Sequence, residues 1–354
     1  MRLGVNIGYM GAGYAANGLE LACEADRLGY DVCWVAEAFG SDAATVISWV
    51  ASRTRRIAVG SSVFQIPART PAMTAMTAAT LDTLSAGRFR LGLGVSGPQV
   101  SEGWHGVRFA DPLGRTREYV EIVRKALRQE PLTHAGVHWT LPMPDGPGRP
   151  LVLSIRPVQP RIPIYLAAIG PKNLRLTGEI ADGWLASFFA PEFAPELFGD
   201  IRTGRSSTAG DRTLSGFDVV SMTPIAVGDD VHACADAVRW YTALYLGGMG
   251  GKDNNYYNQL ACRMGYAKQC AEVQERYLAR DLGGAAAAVP IEYIDATSLL
   301  GPVSRIASRM RDFAAAGVTT LTVSPFGGSI TERMAMLDSA MQARDLAGLR
   351  DVCA

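Results

Sequence analysis

Short apolar runs alternate along the chain with longer stretches in which apolar side chains recur every three or four residues, the beat of strands joined by helices. Residues 3–9 read as a first strand. Gly18 to Gly29 carry Leu19, Ala22, Cys23, Ala25 and Leu28 on roughly one helical face and end in a glycine suited to a C-terminal cap. Residues 32–36 form a second strand, Asp42 caps an apolar helix to Ser52, and residues 56–63 form a third strand. Thr70-Pro71 opens the next helix, with proline in the first turn where its missing N–H costs nothing, and residues 89–94 make the fourth strand. Residues 97–116 and 131–160 are dense in Gly and Pro and read as excursions at the strand ends. The beat resumes with strands at 162–168, 182–186, 217–227 and, after a long helical stretch, 319–324.

Repeated strand–helix units force parallel strands with crossover helices, and eight of them close most simply into a barrel, because closure removes both sheet edges. The expected fold is therefore a (β/α)8, TIM-like barrel; a doubly wound open sheet is the alternative. The whole of residues 1–354 reads as one domain, and residues 247–300 as a helical insertion in the seventh repeat.

Composition narrows the function. Lys and Arg number 34, Asp and Glu 34, and no basic block of five or more residues occurs, so the electrostatic footprint of nucleic-acid binding is missing and a small-molecule substrate is expected. The cysteines (Cys23, Cys33, Cys234, Cys262, Cys270, Cys353) lack C-x-x-C spacing and read as reduced thiols. No apolar run approaches the roughly 18 residues of a membrane span, and a cytoplasmic location is expected.

In such a barrel the chemistry sits where strands end and helices begin, which directs attention to residues 37–41, 60–70, 94–105, 168–173, 187–191 and 325–328. Gly92-Leu93-Gly94-Val95-Ser96-Gly97 matches G-x-G-x-x-G, but Pro98 and Gly103 follow in place of an immediate helix. The glycines are better read as letting a flat ring lie against the main chain. Ala168-Ile169-Gly170-Pro171 is a strand end, a turn and a helix start, either an ordinary turn or a phosphate site made by free N–H groups and the helix dipole. Glu37 follows the second strand; Asp42 already supplies the cap, so Glu37 is available for a polar role beside a bound ring. Trp104-His105 offers an aromatic wall and an imidazole toward a substrate, or a solvated loop histidine, and Gln65 belongs to the same substrate-facing set. His134, His138 and His232 are scattered, so no metal site is expected, and no G-x-S-x-G segment supports hydrolysis.

The segments Gly60-Ser61-Ser62-Val63, Arg69 to Asp82, Ser85-Ala86-Gly87-Arg88-Phe89, Gly92 to Pro98 and Ala167 to Lys172 together resemble the luciferase-like oxidoreductases dependent on coenzyme F420, relatives of methylenetetrahydromethanopterin reductase. The resemblance runs over residues 1–190 and resumes near Gly317 to Ser324. It implies a homodimeric barrel that holds a deazaflavin at the strand ends. A non-prolyl cis peptide would follow the third strand at Ser61-Ser62 or Ser62-Val63; Gly60 to Ser62 and Gly94 to Gly97 would flank the ring, and Ala168 to Pro171 would meet the phosphate. One departure matters. The sugar-phosphate dehydrogenase branch has an acidic residue followed by a catalytic His after the second strand, whereas here the pair is Glu37-Ala38. Alanine moves no proton, which favours reduction of a C=C or C=N bond, with Glu37 or water handling the proton. The rivals are an FMN-dependent monooxygenase and a non-catalytic coenzyme-binding protein.

Overall fold

Eight parallel strands follow one another around a ring: β1 (Arg2–Asn6), β2 (Val32–Val35), β3 (Ala58–Ser61), β4 (Phe89–Gly94), β5 (Ile164–Ala167), β6 (Gly183–Ser187), β7 (Asp218–Val227) and β8 (Thr320–Pro325). The computed structural model describes residues 1–9, 17–209, 213–252 and 254–350. Each strand pairs with the next in register, for example Val5 with Cys33, Cys33 with Val59 and Val59 with Phe89. β8 returns to β1, with Val5 opposite Val323, so the barrel is closed and the open-sheet alternative is excluded. The observed strands are mostly shorter than the apolar runs that announce them, because pairing stops where the chain bends out of the barrel.

β2 shows why its residues are buried throughout. With a side-chain period of two, Val32 and Trp34 point into the lumen, where they meet Tyr165, Leu185 and Val220, while Cys33 and Val35 join the shell between strands and helices. Trp34 fills the lumen so fully that a Cβ on Gly60 would sit 2.5 Å from its ring. One end of the lumen is plugged by charge. Asp218, the first residue of β7, accepts from Arg2 at 2.7 Å, from the Tyr165 hydroxyl at 3.0 Å and from Thr320 at 2.9 Å. All four lie toward the N-terminal ends of their strands, so the opposite rim is left for chemistry.

Eight helices wrap the strands: α1 (Gly18–Leu28), α2 (Ala43–Arg53), α3 (Pro71–Leu84), α4 (Pro112–Leu127), α5 (Pro171–Ile180), α6 (Ala194–Ala209), α7 (Val303–Ala315) and α8 (Ile330–Leu346). Their ends carry the expected signals. Gly29 closes α1 at φ 85°, Asp42 accepts from the Thr45 N–H ahead of α2, and Thr70 accepts from the Met73 N–H ahead of α3. Residues 97–116 contain more order than their composition suggests: a short helix, Pro98–Gly103, and the start of α4, capped by Asp111 onto the Gly114 N–H. Residues 131–160 include a small hairpin, His134–Ala135 against Thr140–Leu141. α6 escapes the apolar pattern because glycine interrupts it. Gly204 is required by packing, since a Cβ there would lie 1.8 Å from the Arg175 carbonyl oxygen of α5.

Between β7 and α7 run the helices Val231–Ala243, Tyr256–Ala261, Ala267–Leu278, Leu282–Ala287 and Ile291–Ala296, then a short strand, Leu299–Gly301, paired with β7. Cys23, Cys33, Cys234, Cys262 and Cys270 are free thiols, and Cys353 lies outside the described residues. No described helix is long and apolar enough to cross a membrane.

Candidate active site

The loop after β2 is tied to the loop after β3 through Glu37. Its carboxylate takes a two-pronged ion pair from Arg69, at 2.6 and 2.8 Å, and accepts the backbone N–H groups of Ala43 and Gln65, both at 3.2 Å. Arg69 also pairs with Asp42 and lies 4.5 Å from the centre of the Phe64 ring. Side-chain exposure is 7% for Glu37 and 14% for Arg69, so the pair is largely withdrawn from water. Both carboxylate oxygens are thus already engaged, and in this geometry Glu37 anchors loops. Ion pairing with Glu37 and Asp42 outweighs the effect of burial and raises the Arg69 guanidinium above its ordinary value.

Gln65, expected to face substrate, is buried and spent on bracing. Its amide donates to the Ala38 carbonyl at 2.6 Å and accepts from the Ser96 hydroxyl at 2.8 Å. That bond spans from the β3 rim to the β4 rim and holds Ser96 at φ 62°, a left-handed conformation uncommon outside glycine. The non-prolyl cis peptide is present, at Ser62-Val63, the second of the two positions that the resemblance allows. Val63 crosses over β4, where a Cβ on Gly94 would lie 2.5 Å from its side chain. Gly60 and Ser61 answer to the barrel itself. Gly60 faces Trp34, and the Ser61 hydroxyl donates to the Gly92 carbonyl at 2.8 Å while accepting the Gly92 N–H at 3.0 Å. What remains on this rim for a ligand is half-buried main chain at Ser62-Val63 and Val95 to Gly97.

The end of β5 makes the second part of the site. The Ala168 carbonyl is held by the Trp184 indole N–H at 2.9 Å, and the Ile169 carbonyl by Arg263 at 3.0 Å. Gly170 then caps α5 with no side chain to satisfy the first N–H groups, and Pro171 occupies the first turn. Nothing lies within 4 Å of where a Gly170 Cβ would stand, so the absence of a side chain is not demanded by the fold. Ile169, Gly170 and Pro171 line a cleft of about 350 Å³ with Tyr256, Gln259, Cys262 and Arg263. Arg263 is itself paired with Glu196 at 3.0 Å, so the groups here that suit an anion such as a phosphate are the uncapped N–H groups at the start of α5.

Trp104 and His105 do not form a wall over this space. Trp104 ends the short helix Pro98–Gly103 and is 67% exposed, while His105 is half-buried with an Nε2 that meets no hydrogen-bond partner among the described residues. No described group of His, Cys, Asp and Glu side chains could hold a metal ion. Sequence reasoning missed Arg69 and Arg263 as site residues; both owe their position to partners far along the chain, and no local motif marks them.

Residues 2–320 match the family model described as luciferase-like monooxygenase. Over 354 aligned positions, 99% of each chain, the protein is 40% identical to a Mycobacterium tuberculosis protein described as a coenzyme F420-dependent oxidoreductase. It is 27% identical to 5,10-methylenetetrahydromethanopterin reductase of Archaeoglobus fulgidus, over 86% of this chain and 88% of that one. The coenzyme F420-dependent tetrahydromethanopterin reductase of Methanopyrus kandleri shares the fold, with a TM-score of 0.81 over 96% of this chain and 98% of that one at 24% identity. Closed barrel and a match over nearly the full length lead to one conclusion: the chain belongs to the luciferase-like family, which includes coenzyme F420-dependent oxidoreductases.

Proposed function

We propose that the protein is an F420-dependent oxidoreductase that exchanges hydride between the deazaflavin coenzyme and a small organic substrate, most readily by reducing a C=C or C=N bond. The observation that carries this reading is the uncapped start of α5, with Gly170 open to the cleft and Arg263 at its edge, on the same rim as the main chain at Ser62-Val63 and Val95 to Gly97. The residues present fit the coenzyme. The N–H groups at the start of α5 would take its phosphate, and the half-buried backbone of the β3 and β4 rims would support its ring. When bound, the deazaflavin supplies a two-electron hydride carrier without oxygen chemistry.

The chain's own contribution is positional. Glu37 and Arg69 lock the loop after β2 to the start of α3, and Gln65 locks the β3 rim to Ser96, so the surfaces that flank the ring are held from beneath. With Ala38 beside Glu37 and the Glu37 carboxylate engaged, the loop after β2 offers no proton acceptor for alcohol oxidation, which favours the reductive direction. We further read the chain as one cytoplasmic domain that pairs with a second copy; Trp49, Met73 and Met76 expose large apolar side chains on α2 and α3.

Fluorescence titration with F420 and, separately, FMN tests the proposal. Micromolar or tighter binding of F420 with weaker FMN binding is expected, together with hydride exchange between reduced F420 and an acceptor. Tight FMN binding and no response to F420 would transfer the protein to the monooxygenases, and F420 binding without turnover on any acceptor would make it a coenzyme-binding protein.

A further inference from the structure

Opposite the β3 to β5 rim, the mouth of the barrel carries a cluster of aromatic side chains, with phenols from four separate segments. Phe188 directly follows β6 and stands at φ 52°, a conformation that an aromatic residue keeps only when its surroundings impose it. It is sandwiched between Tyr241 (5.7 Å, 24° between planes) and Tyr293 (6.1 Å, 20°). Tyr245 packs against Tyr241 and Tyr257, with both pairs of ring centres 4.7 Å apart, and Tyr9, just past β1, lies within electrostatic reach of Tyr245 and Tyr257.

The hydroxyls distinguish this cluster from ordinary packing. Buried tyrosines of this protein elsewhere find acceptors: Tyr30 donates to the Leu337 carbonyl and Tyr165 to Asp218. Tyr241, Tyr245 and Tyr257 are half-buried, and among the described residues no carbonyl or carboxylate accepts from them. Tyr245 stands between the other two rings, so of the three it is the one that both neighbours flank. Burial, then the neighbouring Tyr9 phenol, pushes Tyr257 up to about 12, and burial raises Tyr241 and Tyr245 as well, so all three remain neutral donors near pH 7.

We propose that Tyr245, backed by Tyr241 and flanked by Tyr257, donates the hydrogen bond that recognises the carbonyl oxygen of a flat, conjugated carbonyl substrate, an inference that rests on the coenzyme reading above. Neutral donors suit a neutral oxygen acceptor, and the aromatic rings suit a flat conjugated body. In such a substrate, addition of hydride from the reduced coenzyme to the β-carbon breaks the C=C π bond and moves charge to the carbonyl oxygen, where the phenol stabilises it. A proton from water completes the α-carbon, and the coenzyme is left oxidised.

The test needs no coenzyme. The full-length protein is titrated with 4-nitrophenolate, a flat ring with a charged oxygen acceptor, and followed by its absorbance. Saturable binding is expected that Tyr245→Phe weakens roughly tenfold or more and Tyr257→Phe several-fold, since phenylalanine keeps the stacking and removes only the donor. Melting temperatures near wild type for both variants confirm that the packing is retained, and saturating inorganic phosphate, which would compete at α5, leaves the nitrophenolate bound. No saturable binding, equal affinity in the Tyr245→Phe variant, or displacement by phosphate overturns the proposal. Failure of F420 to bind overturns the coenzyme reading instead, and the nitrophenolate titration still judges the tyrosines. With F420 and 2-cyclohexenone as the pair, Tyr245→Phe is expected to lower kcat/KM while coenzyme affinity stays within two-fold.

Discussion

Gly170→Val separates a ligand-binding turn from a plain one, and the structure supplies both sides of the comparison. At φ −78° and ψ 151°, Gly170 has an extended backbone open to any residue, and a Cβ there has nothing within 4 Å. Replacing glycine at a compatible site restricts the unfolded chain and stabilises by about 0.4–1 kcal/mol. Against this, valine is a poorer residue than glycine at a helix N-cap, at a cost of about 0.5–1 kcal/mol. The two nearly cancel, and stability is expected to change by less than about 1 kcal/mol. Binding is another matter. A branched side chain beside the first N–H groups of α5 would block an anion from them, and each lost hydrogen bond to a charged group costs about 1.5–3 kcal/mol. One such loss weakens F420 binding roughly 10- to 100-fold. Urea unfolding and fluorescence titration on the same preparation check both numbers. If affinity holds while the cleft is obstructed, or affinity and stability fall in step, the phosphate assignment at α5 is wrong.

Glu37→Gln is expected to lower stability by about 2–4 kcal/mol, because it leaves the buried Arg69 with Asp42 alone, and to lower turnover and coenzyme affinity together; lost turnover with unchanged stability and affinity would instead restore a proton-transfer role. Arg88→Met should cost about 2–3 kcal/mol in urea unfolding while F420 affinity is unchanged, since Arg88 donates to the carbonyls of Ala51, Thr54 and Ile57 on the helix side of the barrel. For the hairpin at His134, burial raises the Glu118 carboxyl, but the N–H groups of His138, Val137 and Trp139 and the His134 ring outweigh it and hold it below its ordinary value of 4.5. A carboxyl depressed in the folded state stabilises at pH above its unfolded value and loses that contribution as pH falls through the lower folded one. Trp139 fluorescence should therefore report loosening below pH 4.5, and Glu118→Gln should abolish that transition.

How far the sequence reaches depends on whether partners are neighbours. Asp42, Thr70 and Gly29 announce helix ends because cap and capped N–H lie within one turn, and the alternation in Val32-Cys33-Trp34-Val35 needs only the next residue to choose a face. Local signals of this kind were enough for eight strands in order, and parallel crossovers then leave closure as the simplest outcome. α6 was harder to read, because the glycine that weakens it as a helix is there to let α5 approach.

At the rim, the segments that bear on chemistry were legible and the duties of their side chains were not. Glu37 read as an available carboxylate because nothing adjacent in the chain claims it; Arg69 reaches it only when β2 and β3 lie side by side. Gln65 is bound to Ser96 across β3 and β4, Arg263 arrives at Ile169 from beyond β7, and Tyr293 stacks on Phe188 from more than a hundred residues further on. Periodicity, capping and turn chemistry are short-range, so the sequence alone determines the elements, their order and the ends at which a ligand would sit. Which charge is already paired and which hydroxyl still has a proton to give is decided by barrel closure, because only the closed ring brings those distant groups within a few ångströms of one another.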